Sequence, residues 1–242
     1  MLAPLQHPED LRSVLDDLFA SGTTTNPALN DLVDSYARYH AAFVVVGGLF
    51  LLGFAVLAAF SWRRLRSTPK HGSHPRRFER ATYFAFFVAS AAMSLLMALL
   101  LVANLGNARS PSRGLAGSVS SIGTPPAGTR SAELHEAFTA WLRSGHSARP
   151  EVIDARIEDR LAWQRPKAII CTLLLILVVV VAAAIWRKLI HRSRRDAVGT
   201  PSGGALLALG LLLGPITLVL MAMVIGNTQA ALAPLSMTLL FG

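Results

Sequence analysis

Apolar positions in this chain collect into four long uninterrupted runs, and the polar positions fall between them. The runs extend over 41–62, 81–103, 168–186 and 205–226, and none contains Asp, Glu, Lys, Arg or His. A helix needs about 20 predominantly apolar residues to cross the hydrocarbon core of a bilayer. Each run therefore predicts a transmembrane helix, and four of them in one short chain leave too little polar surface for a water-soluble fold. The first run begins behind an acidic segment rather than a short basic leader, so it reads as a span of the mature chain.

Outside the runs the pattern changes to one apolar stripe per helical turn. Leu11, Val14, Leu15, Leu18 and Phe19 follow the i, i+3, i+4, i+7 spacing of an amphipathic helix, as do Leu134, Phe138, Trp141 and Leu142. Ser21-Gly22 and Ser144-Gly145 supply the stops, Pro27 and Pro150 suit the first turn of the next helix, and Asn26 supplies an N-cap that Arg149 does not. Pro166 predicts a kink or break at the entry to the third span.

These two stretches are copies of one another. Ser21-Gly22, Pro27, Asp31 and Asn104 recur 123 residues later as Ser144-Gly145, Pro150, Asp154 and Asn227. A period of half the chain indicates tandem duplication of one folding unit. The predicted fold is an all-α integral membrane protein of four spans. Two tandem two-span repeats are related by a parallel pseudo-two-fold axis, with a small extracytoplasmic helical cap. Repeat 1 covers 1–108, with outer helices at 9–40, spans at 41–62 and 81–103, and a basic inner loop at 63–80. A Ser/Gly/Pro-rich linker follows at 109–129. Repeat 2 covers 130–242, with outer helices at 131–165, spans at 167–186 and 205–227, and an inner loop at 187–204. An apolar tail at 228–242 is expected on the membrane surface or against a partner.

Charge sets the orientation. The chain carries a net +9, but the residues up to Tyr39 sum to −4, whereas the loop 63–80 sums to +6 and the loop 187–204 to +4. Short loops rich in Lys and Arg face the cytoplasm, which places both termini outside. Arg63, Arg64, Arg66, Arg187, Lys188 and Arg192 then become candidate contacts for anionic lipid of the inner leaflet. No aromatic interleaving accompanies the arginines, so nucleic acid is not an expected partner. A strong Arg-over-Lys bias with frequent Ala, Gly and Pro points to the cytoplasmic membrane of a high-GC bacterium.

Candidate chemistry is sparse. The single cysteine, Cys171, sits in an apolar run and reads as a small hydrophobe. The seven histidines are scattered, with His40 at the mouth of the first span, and no metal-ligand or nucleophile motif is present. No cofactor is expected. Asn104 and Asn227, at matched span ends, form a candidate polar pair at the pseudo-axis; helix capping is the simpler role for each. Leu11, Leu15, Leu18, Phe19, Leu134, Phe138, Trp141 and Leu142 are the candidate face for the cap core or for a partner. The expected function is a non-enzymatic accessory or scaffold subunit that binds a protein partner or a second copy of itself. A channel or transporter with a path between the repeats is the alternative.

Overall fold

The fold described here is that of a computed structural model, which describes residues 11–21, 25–68, 74–119, 123, 125–193 and 201–241. Gly22, the loop positions 69–73 and 194–200, and His7, His71, Glu9 and Asp10 lie outside the described residues. Among the described residues every regular element is helical. In chain order these are α1 (Leu11–Ala20), α2 (Pro27–Ser67), α3 (His74–Arg109) and α4 (Pro111–Val119), then α5 (Arg130–Ser144), α6 (Glu151–Ser193), α7 (Pro201–Leu232) and α8 (Pro234–Phe241). Each half of the chain thus runs short, long, long, short. The same 123-residue offset that matches Pro27 to Pro150 also carries Pro111, which opens α4, onto Pro234, which opens α8.

Four helices contain stretches long and apolar enough to cross a membrane: Pro27–Ser67, Arg77–Arg109, Glu151–Ser193 and Gly203–Leu232. Their exposed faces carry the argument further. Val45, Leu49, Leu52 and Val56 form one stripe of α2, and each is at least 60% exposed. Ile169, Leu173, Ile176 and Val180 repeat that spacing on α6, also largely exposed. Burying such a side chain away from water is worth about 1.5–3 kcal/mol, so long stripes of them are not stable in an aqueous surround. These helices are compatible with a multi-pass membrane protein and suggest a membrane location.

The chain divides into two compact units. One comprises Met1–Phe43, Ala103–Pro166 and Thr228–Gly242; the other comprises Val44–Val102 and Lys167–Asn227. The first, here the polar unit, has a core of Leu11, Val14, Leu15, Leu32, Tyr36, Leu115, Leu134, Phe138, Trp141, Leu142, Ile153, Leu235 and Leu239, among others. α1 packs on α5 and α4 within it. The α1–α2 and α5–α6 corners follow local rules. Asn26 Oδ1 accepts from the N–H of Leu29 at 3.0 Å and so caps α2, while Asn26 Nδ2 donates to the carbonyl of Leu142 at 2.8 Å. Gly145 ends α5 in the left-handed conformation, φ +67°, which glycine adopts without a Cβ penalty.

The apolar unit has two small internal clusters. Cys171, Leu175, Met221 and Val224 pack with Val46, Phe50, Phe54 and Leu220, and Ile185, Leu189 and Leu213 pack with Phe78 and Trp186. Gly210 permits the second cluster. A Cβ there would stand 3.2 Å from the Trp186 ring, so the glycine lets α7 approach α6 closely.

Three expectations are corrected. The stretch 109–129 is not a plain linker, because 111–119 folds as α4 and buries Leu115 completely in the polar unit's core. Leu115 finds an apolar neighbourhood in that core, and burial of its side chain offsets the poor helix propensity of the surrounding glycines and serines. The segment 228–242 is not a surface tail. It contains α8, with Leu235, Ser236, Thr238 and Leu239 all buried. α6, finally, is continuous through Pro166, so of the kink or break expected there the break does not occur. A helical proline removes one backbone hydrogen bond, and here the long flanking turns keep the remainder of the ladder.

Candidate functional site

A set of hydrogen-bonded polar side chains in the polar unit lies on consecutive turns of α2. Ser35, Tyr36, Tyr39 and His40 occupy i, i+1, i+4 and i+5, so they form one band along the helix. Each member is bound to a different neighbouring helix or packed on the next member. His40 Nδ1 lies 2.8 Å from Asn104 Oδ1 on α3, so the ring nitrogen donates to the amide oxygen. The imidazole is also held between aromatic rings, with Tyr36 at 4.5 Å and Tyr39 edge-on at 5.1 Å. Tyr36 Oη is 3.1 Å from Ser118 Oγ on α4. Gln229 Nε2 on α7 donates to the Tyr39 carbonyl at 3.2 Å, and the N–H of Ser236 on α8 donates to Ser35 Oγ at 3.1 Å. One helix is therefore pinned to α3, α4, α7 and α8 by single polar contacts, the Ser35–Ser236 contact buried and the other three partly buried.

Burial is the main influence on titration here. His40 and Tyr39 both precede the charge-free run 41–62. Burial lowers the pKa of His40, with the Asn104 hydrogen bond acting in the opposite sense, and burial raises that of Tyr39, helped by the neighbouring Tyr36. Burial thus favours the neutral imidazole of His40, whose Nδ1 is engaged by Asn104. This arrangement fixes helices together. It has the chemistry of a structural contact.

A second polar feature joins the two halves of the sequence. Arg149, in the connection between α5 and α6, places Nε 2.7 Å from Asp154 Oδ1 and Nη1 3.4 Å from Asp31 Oδ2. The position where a cap was missing holds a clamp. Close by along α6, Arg160 Nη2 donates to the carbonyl of Phe241 at 3.0 Å, capping the C-terminus of α8.

The sequence-derived candidates fall in distinct places. Leu11, Leu15, Leu134, Phe138, Trp141 and Leu142 are buried in the polar unit's core, with Leu18 and Phe19 partly buried against it. That face points inward. Asn104 bonds His40, whereas the Asn227 amide donates to the Met223 carbonyl of its own helix at 2.6 Å, so the two matched asparagines have unlike partners. Arg63, Arg64, Arg66, Arg187 and Lys188 are exposed at one end of the apolar unit, and Arg192 is half-buried. Arg64 lies over the Phe60 ring at 5.4 Å and Arg66 over the Trp62 ring at 4.6 Å. Sequence reasoning missed the roles of Arg149, Gln229, Ser35 and Ser236. Only the Pro111/Pro234 correspondence carried a signal for α4 and α8, and it was available in the 123-residue offset. Among the described residues no group of three or more His, Cys, Asp and Glu side chains could hold a metal ion.

Comparison with protein-family models, with curated proteins and with solved structures finds no match to this chain.

Proposed function

We propose that the chain is a non-enzymatic multi-pass membrane protein, an accessory or scaffold subunit that presents its polar unit to a protein partner. The observation that carries this reading is the independent core of that unit. Roughly half of the chain is devoted to a packed helical body in which α2 is bonded separately to α3, α4, α7 and α8. Joining four spans needs only short turns. A body of this size, locked by a buried aromatic core and by the Arg149 clamp, is suited to holding a surface in fixed geometry.

The partner-facing surface in this reading is the exterior of the polar unit, since the apolar faces of α1 and α5 are used internally. By the positive-inside rule the polar unit is extracytoplasmic and the arginine-rich ends of the apolar unit are cytoplasmic. The duplicated order of helices fits two tandem repeats about a pseudo-two-fold axis, a fused dimer in form. Composition supports the cytoplasmic membrane of a high-GC bacterium. The matched asparagines that motivated a solute path are each engaged within the chain, and they lend that path no support.

The test is purification of the full tagged chain from its native membrane in mild detergent, with cross-linking and mass spectrometry of what is retained. A stoichiometric partner whose cross-links fall on 25–43, 103–119, 125–166 or 228–241 is the expected result. Recovery of the chain alone across several detergents and membrane densities would overturn the scaffold reading.

A further inference from the structure

The apolar unit contains an open groove of about 810 Å³ lined by Arg64, Tyr83, Arg187, Lys188, His191 and the small or aliphatic Ala183, Ala184 and Ile190. Its charge is one-sided. Two arginines, a lysine and a histidine line it, and no carboxylate does. Arg64 and Tyr83 come from α2 and α3, whereas the other basic residues come from α6, so the groove is basic from more than one helix.

Its donors are partly fixed before any ligand arrives. The Arg64 guanidinium lies over the Phe60 ring at 5.4 Å, and that ring meets Tyr83 edge-on at 6.4 Å. Arg187 and His191 stand one helical turn apart on α6, with Lys188 beside them. Such a set suits a phosphate anion: the guanidinium groups and the ammonium donate charge-assisted hydrogen bonds, and a phenol hydroxyl adds a neutral one.

The lining also continues into hydrocarbon-like surface. Val180, Ala184, Lys188 and His191 fall at i, i+4, i+8 and i+11 of α6, so one stripe passes from apolar to basic along the helix. Val180 is 59% exposed, and Ala183 and Ala184 are exposed and too small to fill the groove themselves. A free phosphate would use only the basic end. A phospholipid uses both ends, with its phosphate among the cations and an acyl chain along Val180 and Ala184. Basic pockets between membrane helices recognise anionic lipid head groups in this way.

We propose that this groove is a specific site for the phosphate head group of an anionic phospholipid, held by Arg64, Arg187 and Lys188 with Tyr83 as hydroxyl donor. The site rests on the membrane reading, and its place in the cytoplasmic leaflet rests on the orientation proposed above. Partner capture is measured separately, so the lipid site and the scaffold reading can fail independently.

The test uses the purified full chain in mild detergent, with equal concentrations of phosphatidylglycerol and phosphatidylcholine and retention read by native mass spectrometry. Preferential retention of phosphatidylglycerol is expected. The double substitution Arg187→Gln with Lys188→Gln should lower that retention about tenfold or more, given the contribution of each basic residue to anionic-lipid attraction. Arg77→Gln with Arg80→Gln removes the same charge on α3, outside the lining, and should leave retention near the unsubstituted level. Equal loss in both variants means diffuse electrostatics and overturns the proposal, as does equal retention of the two lipids. Ala184→Phe blocks the apolar wall without changing charge. It should also weaken retention, and it keeps the test open if the double variant fails to fold. Inorganic phosphate at millimolar concentration separates the two sources of the anion. Lipid that persists supports the assignment; complete displacement assigns the groove to free phosphate and overturns the lipid site.

Discussion

Asp31 and Asp154 are matched across the two halves of the sequence, and they share one guanidinium, that of Arg149. Arg149 itself occupies the position that corresponds to the N-cap Asn26. The two corners at this offset therefore hold different parts. In one, an amide caps its helix and bonds the Leu142 carbonyl; in the other, a cation bridges the two carboxylates.

The strength of that bridge is limited by solvent. The Arg149 and aspartate side chains are 35% to 46% exposed, so each pair contributes on the scale of about 0–1 kcal/mol after screening. Arg149→Gln should lower the thermal unfolding midpoint slightly at low salt, leaving two carboxylates without their shared cation. The deficit should shrink at high salt, where exposed charges are screened over about 3 Å at 1 M. Unfolding curves in detergent at two ionic strengths check this, and a deficit that grows with salt would contradict it.

α4 lies against α2 because Gly114 has no side chain. A Cβ at Gly114 would stand 2.9 Å from Tyr36 Cε1 and 3.0 Å from Asn107 Oδ1. Tyr36 cannot readily move aside, since it is 3% exposed and its hydroxyl is bonded to Ser118. Gly114→Ala should therefore destabilise the polar unit by about 1–3 kcal/mol, offset by up to about 1 kcal/mol of helix propensity. Gly117→Ala meets no atom within 4 Å and should stabilise α4 through propensity alone. Opposite signs for two glycines three residues apart are read from unfolding midpoints; equal signs would remove the packing role assigned to Gly114.

His40 makes the polar unit sensitive to acid. Its pKa in the folded state is lowered from the ordinary value by burial, so below about pH 6.5 the unfolded chain binds the proton more readily. The contribution of His40 is complete above that pH and is lost as the pH falls through the folded-state value. The unfolding midpoint should decline on acidification in the unsubstituted protein, and His40→Gln should flatten that part of the profile. An unchanged slope in the variant would assign the acid sensitivity to other groups.

The aromatic core should dominate stability. Trp141 is 2% exposed and meets Phe138 at 6.2 Å between ring centroids. Trp141→Ala should cost about 3–5 kcal/mol, as expected for a large buried aromatic. Val152, half exposed on α6, serves as the comparison, and its change to alanine should fall within about 0.5 kcal/mol of neutral. Denaturant titration of both variants distinguishes a core from a contact surface. A near-neutral Trp141→Ala would mean that the residue serves a partner instead.

Much of the helical organisation was legible in residue periodicity. Four charge-free runs announce four apolar helices because bilayer hydrocarbon tolerates no unpaired charge, and the stripes at Leu11–Phe19 and Leu134–Leu142 announce amphipathic helices. Gly145 and Asn26 mark their corners through local backbone chemistry alone. The arginine-rich helix ends were legible as a charge excess, but the groove that gathers Arg64, Tyr83 and Lys188 was not, since they come from three different helices.

What the chain by itself determined, then, was the set of four apolar helices and their basic ends, which depend on neighbours within a few turns, together with the 123-residue correspondence read along the whole sequence. Tertiary structure alone decided that Leu115 and Leu235 enter one core, that His40 bonds Asn104, and that Arg149 reaches Asp31. A Ser/Gly-rich helix such as α4 has no periodic stripe strong enough to announce itself, and it forms because a single leucine finds a buried site prepared by other helices. Local pattern specifies which face of a helix is apolar; only the packed chain specifies what that face meets.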